Sequence, residues 1–139
     1  DGYKSDLTRT FYLGDAGDDA FWGIYDTVRQ AHAAAIAGIH PGVTGKAIDA
    51  LARDLITAAG HGDHFGHGTG HGVGLEIHED PRFSRLAEKT IIPSGAVMTV
   101  EPGVYLPGYG GVRIEDLVLV TADGAEYLSA APQSPLIAV

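Results

Sequence analysis

Glycine alternates with histidine between residues 60 and 74, and five of the seven histidines lie between His61 and His78. Each glycine costs backbone entropy and removes packing surface, so this segment cannot form a stable helix. We therefore expect a loop that the rest of the fold holds in place. The simpler interpretation of such a composition is a flexible, solvated loop that binds divalent metal loosely. The residues around the loop decide between the two.

Two amphipathic helices are predicted before this loop. Asp18 or Asp19 suits the N-cap of the first helix, whose apolar residues keep helical spacing to about Gly38. The second helix begins near Thr44, and Gly60 suits the C′ position after its last turn. Each helix has one apolar face, and we expect each of these faces to pack against a sheet.

Strands are predicted before the helices and after the loop, at residues 8–13, 96–100, 103–106 and 112–120. A glycine-rich turn at residues 107–111 joins the last two as a hairpin. Helices in the first half and strands in the second predict an α+β domain over residues 1–139. Its antiparallel sheet is expected to be covered by helices on one face.

The composition excludes several classes of function. Without cysteine the chain has no disulfide and no Cys-ligated zinc, so a metal must be bound by oxygen and imidazole. A formal net charge of −9 opposes binding to nucleic acid, whose affinity rests largely on Lys and Arg. Apolar stretches end well before the ~18 residues of a membrane helix. Because no basic and then apolar segment opens the chain, the expected location is cytoplasmic.

Acidic residues in apolar surroundings are the first candidates for a site. The alternation over residues 75–78 predicts a strand with Glu76 and His78 on one face. Glu101 and Glu115 lie inside otherwise apolar predicted strands, where a charge is rare without a partner or a metal. The alternative for each glutamate alone is a position on the solvated face of a strand.

Four sequence blocks occur in order along the chain. By itself Asp6, in the first block, could be a turn residue or the partner of Arg9. The blocks are residues 5–10 (SDLTRT), 67–79 (HGTGHGVGLEIHE), 100–105 (VEPGVY) and 110–116 (GGVRIED). Together they resemble the pita-bread metallopeptidases almost from end to end. The branch they resemble is that of the Xaa-Pro aminopeptidases and Xaa-Pro dipeptidases (prolidases), more than the methionine aminopeptidases.

The resemblance implies a site for two divalent metal ions. In it Asp6 and Glu115 bridge the ions, His71 is the single imidazole ligand, and Glu101 binds one ion. Such a donor set favours Mn(II), with Co(II), Fe(II) or Zn(II) as replacements. A hydroxide that bridges the ions would hydrolyse the Xaa-Pro bond at the N-terminus of a dipeptide or peptide.

The resemblance also implies four residues with catalytic roles. His78 would hydrogen-bond the substrate and stabilise the charge on its carbonyl oxygen, and His67 would line the same pocket. Glu101 would serve as general acid and base as well as ligand. Arg113 would orient the carboxylates or a substrate carboxylate as a fixed cation, the alternative being a surface arginine. Two further histidines match no ligand position, His61 and His64.

The chain departs from the family pattern at its start. The family has one more metal aspartate upstream, and Asp1 is not that residue. We therefore expect the C-terminal part of a catalytic domain that lacks its N-terminal part. Alone, it would bind one ion tightly and a second weakly, and would have little or no peptidase activity. The full-length enzyme is expected to be a homodimer.

Two alternatives use the same fold without this chemistry. One is a non-catalytic pita-bread module that binds protein partners, and the other is a metal-free enzyme of the creatinase type. Retention of Asp6, His71, Glu101 and Glu115 argues against both, because a binding module has no reason to bury those charges. The residues leave the choice between dipeptidase and aminopeptidase open.

Overall fold

A computed structural model describes residues 1–14 and 16–137 of the chain, with two helices in the first half. Helix α1 spans Asp19–Ala37 and helix α2 spans Gly45–Ala58. Asp18 and Thr44 are the N-caps, and each side chain accepts a hydrogen bond from the backbone N–H three residues later. Gly60 has a φ of 86°, which suits the C′ position after α2. Both predicted helices are confirmed at both ends.

The strands of the described residues form three sheets. They are β1 (Tyr12–Leu13), β2 (Gly70–Gly72), β3 (Glu79–Phe83), β4 (Val97–Val100), β5 (Gly103–Leu106), β6 (Gly110–Arg113), β7 (Asp116–Thr121), β8 (Gly124–Tyr127) and β9 (Leu136–Ile137). The main sheet has the order β3-β2-β4-β7-β8, and every pair in it is antiparallel. β5 and β6 form the predicted hairpin, while β1 and β9 pair in parallel.

The core lies between the helices and the main sheet. Helix α1 contributes fully buried Val28 and Ala35, helix α2 contributes Ile48, and the sheet contributes Met98 and Val118. Removal of this apolar surface from water is the main favourable contribution to folding. Within the described residues, no helix is long and apolar enough to cross a membrane.

The start of α2 lies directly against β3. A Cβ atom on Gly45 would be 2.0 Å from the carbonyl oxygen of Arg82 and 2.9 Å from the Cβ of Ala87. The Gly45 N–H also donates to the carbonyl of Thr90 at 2.9 Å. Only glycine permits this approach, which fixes the position of α2 relative to the sheet.

Of two predictions around the histidines, the strand at residues 75–78 is wrong and the loop over residues 60–74 needs refinement. Residues 75–78 form bends, and the strand begins only at Glu79, because the Glu79 carboxylate accepts the Glu76 N–H at 2.9 Å and holds a local turn. The expected loop over residues 60–74 also contains regular structure. A 3-10 helical turn occupies Gly62–His64, and β2 brings His71 into the main sheet.

Two other strand predictions need correction. The predicted strand at residues 112–120 is divided, because β6 ends at Arg113 and β7 begins at Asp116. Between them the Glu115 N–H donates to the carbonyl of Thr8 at 3.0 Å. The predicted strand at residues 8–13 is correspondingly short, with an isolated bridge at Thr8 and only β1 at its end.

Candidate metal centre

Four acidic and histidine side chains from distant parts of the chain converge at one end of the main sheet. One ligand atom from each of Asp6, His71 and Glu115 lies within 4.8 Å of the others. His71 Nε2 is 3.2 Å from Glu101 Oε1 and 3.8 Å from Asp6 Oδ2. Asp6 precedes the bridge at Thr8, His71 is on β2, and the two glutamates follow β4 and β6. The structure thus brings together all four predicted ligands, whose roles as ligands stay predictions.

The His71 ring is oriented for metal binding by its other nitrogen. Nδ1 lies 3.0 Å from the carbonyl oxygen of Gly72, and a carbonyl can only accept, so we assign the proton to Nδ1. Nε2 then faces the carboxylates, where it donates to Glu101 when the ring is protonated and would be free to bind a cation when the ring is neutral. A backbone or carboxylate acceptor on the far nitrogen is the usual way in which proteins orient a histidine ligand.

Glu115 and Asp116 are adjacent buried carboxylates with different surroundings. Asp116 Oδ1 accepts from Arg9 at 2.7 Å, and Oδ2, although it has no hydrogen bond within the described part of the chain, lies 3.2 Å from the Nε2 of His32. Glu115 Oε2 accepts from the Thr8 hydroxyl, but Oε1 is buried without a hydrogen-bond partner among the described residues. A buried carboxylate oxygen without a partner is costly. A divalent cation bound at Glu115 would offset that cost, so the residues fit a metal.

The pKa shifts describe the same convergence of negative charge. Burial raises the pKa of Glu115 to about 6, and the charges of Glu101 and Asp6 act in the same direction. Burial also opposes the charged form of Glu101, but the hydrogen bond and charge of His71 outweigh it and lower the pKa of Glu101. Burial likewise opposes the charge on His71, yet its contacts with Glu101, the Gly72 carbonyl and Asp6 raise its pKa overall. The site therefore favours a positive charge at its centre.

A cavity of about 340 Å³ opens beside these carboxylates, with His67, His78 and Arg113 in its lining. The His78 ring centroid is 4.4 Å from that of His71, and the His78 side chain is exposed. The structure places these three predicted residues at one pocket. His61 precedes the 3-10 turn and His64 ends it, and neither contributes to the lining of this cavity as far as the structure describes it.

Sequence reasoning missed Tyr105 as a member of this pocket. The His67 Nδ1 lies 2.8 Å from the Gly68 carbonyl, which assigns the proton to Nδ1 and leaves Nε2 to accept from the Tyr105 hydroxyl at 2.7 Å. Arg113 also donates to the Tyr105 oxygen, at 3.3 Å. Tyr105 closes the third sequence block, four residues after Glu101, so its place in that block was the available signal.

Thr8 is the second residue that the sequence did not single out. Arg113 Nε donates to the Thr8 hydroxyl at 3.1 Å, and that hydroxyl donates to Glu115. Arg113 is half-buried rather than a surface arginine. It is connected to the Glu115 carboxylate through the Thr8 hydroxyl. The alternative pairing of Asp6 with Arg9 is wrong, because the Arg9 guanidinium donates to Asp116 and to backbone carbonyls.

Comparison with known proteins adds independent information about this arrangement. The model of metallopeptidase family M24 matches residues 1–122. An Xaa-Pro dipeptidase of Pyrococcus furiosus is 48% identical over 127 residues, which are 91% of this chain and 36% of that protein. The structure of an Xaa-Pro dipeptidase from Bacillus anthracis superimposes with a TM-score of 0.93 at 47% identity. An X-Pro aminopeptidase from Thermotoga maritima gives a TM-score of 0.92 at 39% identity.

The two solved structures each cover 99% of this chain, while the chain spans 38% of their length. Their similarity confirms the predicted pita-bread fold for the region that this chain shares with them. The family model covers all four sequence blocks as well as the converging carboxylates and histidines. The chain therefore belongs to metallopeptidase family M24.

Proposed function

We propose that this chain carries the metal-binding residues of a peptidase that hydrolyses the Xaa-Pro bond at the N-terminus of a peptide. Asp6, His71, Glu101 and Glu115 would hold divalent metal. The observation that carries the proposal is the buried, unpartnered Oε1 of Glu115, beside ligand atoms of Asp6 and His71 that lie within 4.8 Å of one another. A cation is the group that such an arrangement lacks.

The donor set indicates the kind of metal. Three carboxylates are hard ligands and the imidazole is a borderline one, and this oxygen-dominated set favours Mn(II) over metals that prefer sulfur, although Co(II), Fe(II) and Zn(II) can replace it. Asp6 and Glu115 would bridge two ions, and His71 and Glu101 would complete the coordination of one of them. Bound divalent ions act as Lewis acids on a carbonyl and lower the pKa of water.

The remaining pocket residues would bind and orient the substrate. His78, exposed at the cavity, would donate a hydrogen bond to the carbonyl oxygen of the bond to be cleaved. His67, held by Tyr105, would contact the same peptide. Glu101 would take a proton from the attacking water and pass it to the leaving nitrogen. Arg113 would fix Thr8, and through it the Glu115 carboxylate.

The substrate class rests on the named relatives. Two are Xaa-Pro dipeptidases and one is an X-Pro aminopeptidase, so both peptide lengths stay open for this chain. A homodimer of the full-length enzyme and a cytoplasmic location stay predictions. The alternative function is a non-catalytic scaffold that binds proteins, for which an unpaired buried carboxylate would be a cost without a use.

Metal content tests the proposal directly. The chain is supplied with Mn(II), dialysed exhaustively and measured by mass spectrometry, and the stoichiometry distinguishes one ion from two. We expect bound metal in the wild type and in His40→Ala, because His40 is exposed and outside the pocket. His71→Ala should lose it. If the wild type retains no metal, or if His71→Ala retains as much as the wild type, the proposal is wrong.

A further inference from the structure

A buried ion pair on α2 lies outside the metal centre and has no role in the chemistry described so far. Asp49 is 1% exposed, and Arg53 stands one helical turn later. Arg53 Nε donates to Asp49 Oδ2 at 2.7 Å, and its NH2 group donates to Oδ1 at 3.0 Å. Buried ion pairs seldom stabilise a fold more than apolar residues of the same size. The presence of the Asp49–Arg53 pair therefore indicates a role other than stabilising the fold.

The remaining hydrogen bonds of this pair all reach the histidine loop, which we define as residues 60–74. Asp49 Oδ1 accepts both the backbone N–H of Thr69, at 3.0 Å, and its hydroxyl, at 2.9 Å. Arg53 donates to the carbonyl of Phe65 at 2.9 Å and to that of His67 at 2.7 Å. Its guanidinium carbon also lies 4.1 Å from the centroid of the Phe65 ring.

The loop residues held in this way are directly connected to the site. The Thr69 carbonyl accepts the backbone N–H of Glu101 at 2.7 Å. His67 accepts the hydroxyl of Tyr105 and lines the cavity. Two glycines, Gly66 and Gly68, separate the held residues of the loop and confer little rigidity of their own.

We propose that Asp49 and Arg53 are positioning residues, a loop clamp on α2 that sets the His67 imidazole and the Glu101 backbone for a peptide substrate. The proposal rests on the proposed function for the identity of that substrate. Neither residue lines the cavity next to the carboxylates. The clamp acts through the carbonyls of Phe65 and His67 and through Thr69, while the contact of α2 with β3 supplies its fixed base.

Arg53→Lys is the most informative variant. Lysine keeps the positive charge beside Asp49, but it has no planar fork to hold a carboxylate and two carbonyls together. The readout is NMR of the metal-free chain, through the imidazole signals of His67 and of His32, which is buried on α1 beside Asp116, and hydrogen exchange at the Thr69 amide. We expect the His67 signals to shift, those of His32 to stay, and Thr69 exchange to rise about tenfold, the factor for one lost buried hydrogen bond.

Two further variants keep the test decisive. Arg29→Lys is the matched control, because Arg29 forms an exposed i,i+3 pair with Asp26 on α1, and it should change none of these signals. Asp49→Asn keeps the shape of the side chain but removes its charge, and should give the same selective change at His67 and Thr69. It replaces Arg53→Lys if that variant does not fold.

The proposal is overturned if a folded Arg53→Lys or Asp49→Asn chain leaves the His67 and Thr69 signals unchanged. It is equally overturned if all signals change together, since that pattern reports a general loss of packing. Because these measurements use the metal-free chain, they are independent of metal content. A wild type that binds no metal would contradict the proposed function and leave the clamp measurable.

Discussion

The carboxylates and the histidine loop meet at one site but are held in place by different means. Glu115 is held by a backbone bridge together with one charged side chain, since its N–H donates to the Thr8 carbonyl and its own carbonyl accepts from the Arg9 guanidinium at 2.7 Å. The histidine loop is fixed by charged side chains of α2, Asp49 and Arg53. A ligand at a strand end can rely on strand pairing, whereas a glycine-rich loop needs its rigidity from outside.

The glycines of the loop explain why it cannot hold itself. A Cβ atom on Gly70 would lie 1.9 Å from the Thr99 carbonyl oxygen, and one on Gly68 would lie 2.7 Å from that of Phe83. The loop therefore runs so close to β3 and β4 that larger residues are excluded. Glycine makes this path accessible but increases the entropy lost on folding. The loop clamp supplies the contacts that offset this loss.

The largest effect should come from breaking the carboxylate side at Arg9. Arg9→Met leaves Asp116 buried without its strong partner and frees the carbonyl of Glu115. Removing one member of a buried pair costs about 3–5 kcal/mol. Urea denaturation measures the loss, and Arg29→Met, which breaks an exposed pair, should cost less than about 1 kcal/mol. A loss at Arg9 no larger than that at Arg29 would mean that backbone pairing alone holds the carboxylates.

Metal should stabilise the chain through the carboxylate side. At a free Mn(II) concentration 100 times the Kd, binding to the folded state alone adds about 2.7 kcal/mol to the free energy of unfolding. Thermal unfolding with and without chelator measures this gain. Glu115→Gln should abolish it, whereas Glu126→Gln, on the exposed side of β8, should keep it. An equal gain in both variants would place the metal elsewhere.

Local sequence signals were sufficient for the helices and the hairpin. The caps of α1 at Asp18 and of α2 at Thr44 were predictable because these side chains bond the nearby backbone. The end of α2 was predictable because glycine readily adopts the positive φ that Gly60 has. The turn between β5 and β6 follows from its glycines. Each of these features is decided by residues close together in sequence, so the pattern contains the answer.

Features that depend on distant contacts could not be predicted in this way. Residues 75–78 are an exception, because alternation indicated a strand although the contact that prevents it is local, from the Glu79 carboxylate to the Glu76 N–H. Apolar continuity over residues 112–120 concealed the break at Glu115, which depends on Thr8. The roles of Asp49 and Arg53 were hidden because each, taken alone, suits the surface of a helix. The convergence of the four acidic and histidine side chains was expected from the resemblance, not from local pattern.

A smaller effect should come from the contact between α2 and β3. Gly45→Ala places a methyl group against the Arg82 carbonyl, and such overpacking costs about 1–3 kcal/mol. Gly23→Ala is the matched control, because an added Cβ there meets nothing within 4 Å, and should stabilise α1 by about 0.5–1 kcal/mol. Urea denaturation of both variants measures the difference. If Gly45→Ala were neutral, the contact between α2 and β3 would not be what holds the loop clamp in position.

The smallest effect should come from the N-cap of α2. Thr44→Ala removes the hydroxyl that accepts the Ala47 N–H at 3.2 Å, which costs about 1 kcal/mol, whereas Thr44→Ser keeps that acceptor. Because α2 carries the loop clamp, fraying of its first turn should broaden the NMR signals of His67 and leave the Thr8 and Glu115 amides unchanged. Equal broadening at both places would show that the two sides respond as one unit. Broadening confined to the loop would show that the site has two separable supports.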